Sequence, residues 1–334
     1  MARSGPFPGQ LANWPVAQLA ALTTLVASTA CADPLPTHDQ NPLLGGFGLP
    51  GALAARAPQE TWSWSTSLNW GSTALVQIEG TEQLVVDAET RELEMALERR
   101  LGEKWSLEVR VPYRYTGGGN LDNFIDGWHD VFGLPEGARP QQPQDRIRLF
   151  YTRANQALID VDDSVTGFAD LTLTLSHASF DSPTSAVRTA LSVKLPTGKD
   201  HWLNSSGAVD ASAIIAAQHA FDARWSLHGQ AAVTWLGEGD LLPELQRGLL
   251  WSARLGTTWH ATRSVDLTVE LDAHTSAFKD STLDFFSDAL IATVGGVYRF
   301  SSGWTLSLGV SEDIAVETSP DVVFIFGLRK TSAR

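Results

Sequence analysis

From Thr61 onward the chain alternates apolar and polar residues with a period of two, which places one apolar face along each of a series of strands. Between Trp105 and Tyr115 the odd positions Leu107, Val109, Val111 and Tyr113 are apolar, while the even ones include Ser106, Glu108, Arg110 and Arg114. Leu171, Leu173 and Leu175 alternate with Thr172, Thr174 and Ser176, and Val265, Leu267, Val269 and Leu271 alternate with Asp266, Thr268, Glu270 and Asp272. The pattern predicts twelve strands, near 61–79, 82–99, 104–116, 167–178, 186–197, 207–220, 224–236, 249–260, 264–277, 287–300, 303–316 and 321–329. Leu84 and Val86 are even whereas Leu93, Met95 and Leu97 are odd, so a bulge is expected near 88–91.

Alternation alone also suits a soluble sandwich. Three features favour a membrane barrel. The runs are about 10–15 residues long, the length of a tilted membrane strand. Connections alternate in length: 101–104, 222–224, 261–264 and 301–303 are tight, whereas 117–167, 198–207, 237–248 and 279–286 are longer. Aromatic residues mark both ends, with Trp105, Phe221, Trp225, Trp259, Phe300 and Trp304 beside the short turns. Tyr113, Tyr115, Trp235 and Trp251 stand beside the long loops, which completes two aromatic girdles. The fold class is therefore all-β, an antiparallel transmembrane β-barrel of about twelve strands. The apolar run 147–160 is placed in the longest external loop as a hairpin or strand extension; embedded in the membrane it would give fourteen strands.

One stretch departs from period two. Leu121, Phe124, Ile125, Trp128 and Phe132 recur with helical spacing, so a short amphipathic helix is expected at 121–132 within a long external loop, 117–166. Its other face carries Asp122, Asp126, His129 and Asp130, a candidate polar or cation-binding face whose bland alternative is a solvated one. The apolar face is expected to dock in the barrel mouth as a constriction or lid.

Composition narrows the setting. Of 334 residues 43% are apolar and 19% charged, and the net charge of −14 argues against a nucleic-acid partner, which needs a basic face. Residues 1–32 read as a signal peptide, with Arg3, an apolar run and Ala30-Cys31-Ala32 before Asp33. Cys31 is the single cysteine; it is either removed with the leader or, on the sharper reading, a lipidated terminus. Residues 33–60 read as an irregular lead-in, 61–329 as the barrel and 330–334 as a tail.

Asn41-Pro42 with 47–50, Val86-Asp-Ala-Glu89, the 117–135 stretch, Gly167-Phe-Ala-Asp170-Leu and Lys194-Leu-Pro-Thr-Gly198 together resemble a domain-of-unknown-function family of Gram-negative outer-membrane proteins, over about 41–329. The resemblance implies the outer membrane and brings no substrate, reaction or site residues. One departure is that Phe326 is followed by eight residues rather than closing the chain.

Barrel parity also assigns a lumen. Glu94, Glu108, Arg110, Arg114, Arg188, Lys194, Arg254, Glu270 and Asp272 are expected to point inward, lining either a wet channel or one bridged shut by ion pairs. The expected function is passive or facilitated passage of a small solute, with outer-membrane lipid and lipopolysaccharide as surroundings and no cofactor or metal. The alternative is a non-conducting structural or surface barrel. A hydrolase ranks below both: the His274–Ser276 pair points inward by parity, Ser176 and His177 fall on opposite faces, and Asp200-His201 is a generic loop match.

Overall fold

A computed structural model of the chain describes residues 33–121, 127, 145–198, 201–314 and 317–330. Its strands are β1 (Trp62–Glu79), β2 (Glu82–Leu101), β3 (Trp105–Gly117), β4 (Arg148–Arg153), β5 (Gln156–Val161), β6 (Val165–Phe168), β7 (Leu171–Asp181) and β8 (Ser185–Leu195). They continue as β9 (Asp210–Ala220), β10 (Trp225–Trp235), β11 (Leu249–His260), β12 (Val265–His274), β13 (Ala289–Arg299), β14 (Trp304–Asp313) and β15 (Val322–Lys330). Twelve of them pair in sequence order, β1-β2-β3 and then β7 through β15, and β15 returns to β1 with Trp64 opposite Lys330 and Ser72 opposite Val322. The barrel is closed, antiparallel and even-stranded, as the strand count predicts; closure leaves no strand edge that lipid would have to solvate. No helix among the described residues is long and apolar enough to cross a membrane.

The three remaining strands extend the wall at the end carrying the long loops. The β4–β5 hairpin pairs with the outer part of β2, Glu82 opposite Arg153 and Asp87 opposite Arg148, so the 147–160 run is a hairpin outside the twelve. β6 continues β7 along the top of β3. Leu93, Met95, Leu97, Leu107, Leu175, Leu191, Ile215, Leu255, Leu267, Val269, Leu271 and Val294 stay exposed on the outside, an apolar belt around the barrel. Aromatic rings sit at both rims: Trp64 meets Trp304 edge-on at 5.0 Å at the short-turn end, and Tyr113 meets Phe168 at 5.1 Å at the other.

The expected bulge in β2 is absent. The β1–β2 register runs unbroken from Trp62 opposite Arg99 to Glu79 opposite Glu82. Even positions face inward throughout, and what changes is the surroundings. Below Arg91 the outside meets the apolar belt, so Leu93, Met95 and Leu97 point out. Above it the inside is apolar, so Leu84 and Val86 point in, to a core with Leu43, Leu44, Phe47, Leu149, Tyr151, Leu203, Leu241, Phe278 and Phe286. That core fills the long-loop end of the barrel.

The lead-in does not lie outside the barrel. Residues 33–56 form an irregular hairpin within the lumen. Asp33 pairs with Arg329 at the short-turn end, the chain rises past Leu35 and Asp39, a 3₁₀ turn at Pro42–Leu44 caps it, and it descends until Arg56 meets Asp181 at the same rim. Small residues make room on the walls. Gly295 and Gly309 face each other on β13 and β14, and a Cβ on Gly295 would stand 2.7 Å from Leu35 Cδ1. The descending leg packs Leu53 and Ala55 against Ala186, Ala190, Ala216 and Ala232.

Candidate functional site

The candidate site is the lumen around this hairpin. Strand alternation delivers every polar residue predicted to point inward to this space, and the structure places each beside an opposite charge. Arg110 lies between Glu108, 2.8 Å from its Nη2, and Glu94, 3.5 Å from its Nε. Arg114 pairs with Glu92, and Arg188 with Glu98, in buried bridges. Lys194 Nζ meets Asp170 at 2.7 Å and Asp210 at 3.1 Å. Arg254 Nε lies 2.5 Å from Asp272 and 3.9 Å from Glu270. Cross-strand pairing explains the arrangement: Glu92 is opposite Arg114, and Arg254 opposite Asp272, so opposite charges share one face of adjacent strands.

The same side chains also hold the hairpin. Lys194 Nζ donates to the Gly46 carbonyl at 2.7 Å, Arg188 to that of Ala54, and Arg254 to those of Leu35 and Thr37. Acceptors on the wall take hairpin N–H groups: Leu35 N donates to Glu270, Gly48 N to Asp210 and Leu53 N to Gln230. His274 Nε2 lies 2.9 Å from Asp39, which also accepts from Ser319. The irregular backbone therefore finds in the lumen the partners that buried peptide groups require. Of the two sequence alternatives for the lumen, wet or bridged shut, the described residues show charges bridged to one another and to a plug.

The plug leaves space on either side. Toward β2, β3 and β7–β9 is a cavity of about 60 Å³, lined among others by Glu94, Glu108, Arg110, Thr174 and Ser192. Toward β10–β13 is one of about 30 Å³, by Gln230, Arg254, Asp272 and His274. A water needs on the order of 10–15 Å³ measured this way, so each cavity holds a few waters and neither is a pore.

The polar face Asp122, Asp126, His129 and Asp130, and nearly all of the expected 121–132 helix, lie outside the described residues. The residues leading into them are informative. Asn120 N and Leu121 N both donate to Glu89 Oε2, at 2.8 Å each, and Glu89 also accepts from Trp70 Nε1 and Arg91 Nε. Glu89 is odd-numbered and so on the outer side of β2, and Leu121 packs against Val322, Trp70, Val310 and Phe324. After β3 the chain thus turns over the outside of the wall as far as Leu121, with Gly119 at φ +67° making the turn; where the expected helix docks lies outside the described residues.

The enzyme candidates resolve as follows. His274 and Ser276 are buried inside, His274 on Asp39. Ser176 points in, while His177 is outside against Trp105. Asp200 lies outside the described residues; His201, whose pKa is lowered by burial, accepts from Leu203 N. Sequence reasoning missed a further array: Ser226 Oγ is 3.1 Å from His260 Nε2, and His260 Nδ1 is 2.8 Å from Asp266. This is the bond order of a catalytic triad. Yet Ser226 is buried, Asp266 is also clamped by Arg299, and neither cavity is lined by Ser226. The array ties β10, β11, β12 and β13 together at the short-turn rim.

Residues 16–331 match the family model described as "Protein of unknown function (DUF3187)". No curated protein matches. An outer-membrane channel from Pseudomonas putida F1 is similar in structure, with a TM-score of 0.56 at 12% identity over 83% of this chain and 97% of that one, a likeness that shows the shared barrel fold. NanC porin aligns with a TM-score of 0.46 at 8% identity over 81% and 100%, and the P. putida toluene transporter TodX with 0.41 at 12% over 92% and 97%.

Proposed function

The chain belongs to this family, DUF3187, and for it we propose an outer-membrane barrel that passes a small solute when the luminal hairpin shifts. The apolar belt and the two aromatic rims support a place in the outer membrane, among its lipid and lipopolysaccharide. The observation that carries passage is how the hairpin is held. Its legs meet the wall chiefly through hydrogen bonds to charged side chains, with cavities on both sides. Such bonds exchange with water at a net cost of about 1.5–3 kcal/mol each, so the legs can move bond by bond without exposing a large apolar face. A structural role alone would be served by packed apolar side chains. No catalytic role is assigned, because the triad-like array among the described residues has no substrate space.

A second reading has its own support. The apolar core at the long-loop end closes that mouth around Leu43, Leu44 and Phe47, which suits a non-conducting surface barrel. Planar-bilayer recording separates the two. Discrete conductance steps for the full chain, enlarged on deleting 33–56, are expected. Silence from both, in samples whose heat-modifiable gel migration shows a folded barrel, overturns passage and favours the closed barrel.

A further inference from the structure

We propose that the cavity between the hairpin and strands β2, β3 and β7–β9 binds a small organic cation bearing an ammonium group, with Glu94 as its principal ligand. The first argument is charge. Glu92, Glu94, Glu108 and Asp170 line the cavity against Arg110, Arg114 and Lys194, four carboxylates to three cations. Asp210 adds a further carboxylate behind Lys194. By formal charge the lining carries one carboxylate more than it has cations.

The second argument is the state of the acceptors. Glu108 takes the hydrogen bond from Arg110 Nη2 at 2.8 Å. Glu94 has only Arg110 Nε at 3.5 Å, and no donor among the described residues hydrogen-bonds its carboxylate. One guanidinium is thus shared by two carboxylates, and the one served less well opens onto the cavity. Above it Glu92, with a side chain 1% exposed, is already served: Arg114 bridges its Oε2, His38 Nε2 lies 3.4 Å from its Oε1, and the Gln40 side chain donates to it. Glu94 is thus the carboxylate left short of donors, which an N–H⁺ group satisfies. Each of the three bases already faces a carboxylate, although Arg110 Nε and Arg114 Nε make no hydrogen bond. The hydroxyls of Thr174 and Ser192, bonded to each other at 3.0 Å, form a polar floor opposite.

As a statement of what binds, this stands apart from the channel reading; as a statement of what passes, it rests on it. Two measurements on the full chain keep them separate. In detergent, methylammonium chloride should raise the midpoint of the heat-modifiable transition saturably, relative to sodium chloride at equal ionic strength; sodium acetate should not. Glu94→Gln should abolish the rise, and Glu108→Gln reduce it. Should Glu94→Gln not fold, Glu94→Asp keeps the charge, draws it back by one methylene, and should weaken the rise. In bilayers under a potassium chloride gradient, the cation should be preferred about fivefold, the factor one uncompensated charge gives at contact distance in water. No saturable rise, the same rise with acetate, or a rise unchanged in every Glu94 variant overturns the site. An anion preference overturns the substrate class and leaves passage standing. A silent bilayer with the methylammonium rise intact supports the site and counts against passage.

Discussion

Lys194→Met tests whether the luminal charges hold the plug or merely accompany it. Nζ is 2.7 Å from Asp170, 3.1 Å from Asp210, 2.7 Å from the Gly46 carbonyl and 2.6 Å from Ser206 Oγ. These contacts join the residue before β7, strand β9, the tip of the hairpin and the loop after β8. Methionine keeps the volume and removes the charge, leaving two carboxylates 3% and 1% exposed without their cation. Breaking a buried pair in this way costs about 3–5 kcal/mol, because an uncompensated charge remains. Asp210 keeps the N–H groups of Gly48 and Gly237 and Asp170 that of Gly198, so the lower half of the range applies. Urea unfolding in detergent reads the loss, and Lys194→Met with Asp170→Asn should recover part of it. If Lys194→Met lies within about 0.5 kcal/mol of wild type, the range of an ordinary surface change, the lysine is not a buried hub and the assignment of the hairpin to the lumen is wrong.

Other consequences can be checked one by one. Glu89→Ala removes the acceptor of Asn120 N and Leu121 N, so those two amides should exchange with deuterium at least about fivefold faster while β2 and β3 stay protected, the rate following from about 1–3 kcal/mol per unsatisfied buried group. Gly295→Ala puts a Cβ 2.5 Å from the Leu308 carbonyl and 2.7 Å from Leu35, and should destabilise the ascending leg by about 1–3 kcal/mol, seen as raised exchange at Leu35 and Thr37. Burial holds the pKa of His201 below its ordinary 6.5, so the folded state favours the neutral ring. Its contribution is complete above 6.5 and is lost as pH falls through the lowered folded value. Stability should therefore decline on mild acidification from 6.5, and His201→Asn should flatten that slope.

Much of the barrel is legible in the sequence because its physics is local. Period two, a tight turn such as the one Asp222 caps through Arg224 N and Trp225 N, and aromatics at the rims each depend on a few adjacent residues. Inward parity likewise finds Arg188, Lys194 and Arg254. What it does not find is non-local. Leu35 bonds Glu270 across 235 residues, and no pattern within 33–60 announces such a partner. The bulge expected in β2 fails for the same reason: Leu84 and Val86 look displaced only if the inside is taken to be polar along its whole length. A signal did exist. Gly295 and Gly309, and Ala186, Ala190, Ala216 and Ala232, are small residues at inward positions of strands that otherwise carry large ones outside. Glycine within a strand marks close approach by another backbone, and here that backbone is the plug.

The two ends of the hairpin are held by different forces, and this sets how it can move. Both its entry and its exit lie at the short-turn rim, so it can leave only that way. Leaving means drawing Leu43, Leu44 and Phe47 out of the apolar core, at about 1.5–3 kcal/mol each, or roughly 5–9 kcal/mol together. A solute bound at a millimolar dissociation constant supplies about 4 kcal/mol. Solute binding alone therefore does not expel the tip, although it suffices to exchange one or two leg hydrogen bonds to charged groups. On the proposed passage, movement would begin in the legs, with the tip as the anchor that returns them. Leu43→Ser with Leu44→Ser should shift this balance by about 3–6 kcal/mol, the transfer cost of two buried leucines, without touching a luminal charge. Open probability in bilayers should then rise steeply while cation preference stays as in wild type. If opening is unchanged although urea unfolding shows the barrel destabilised by that amount, the tip is part of the scaffold rather than the anchor of the gate.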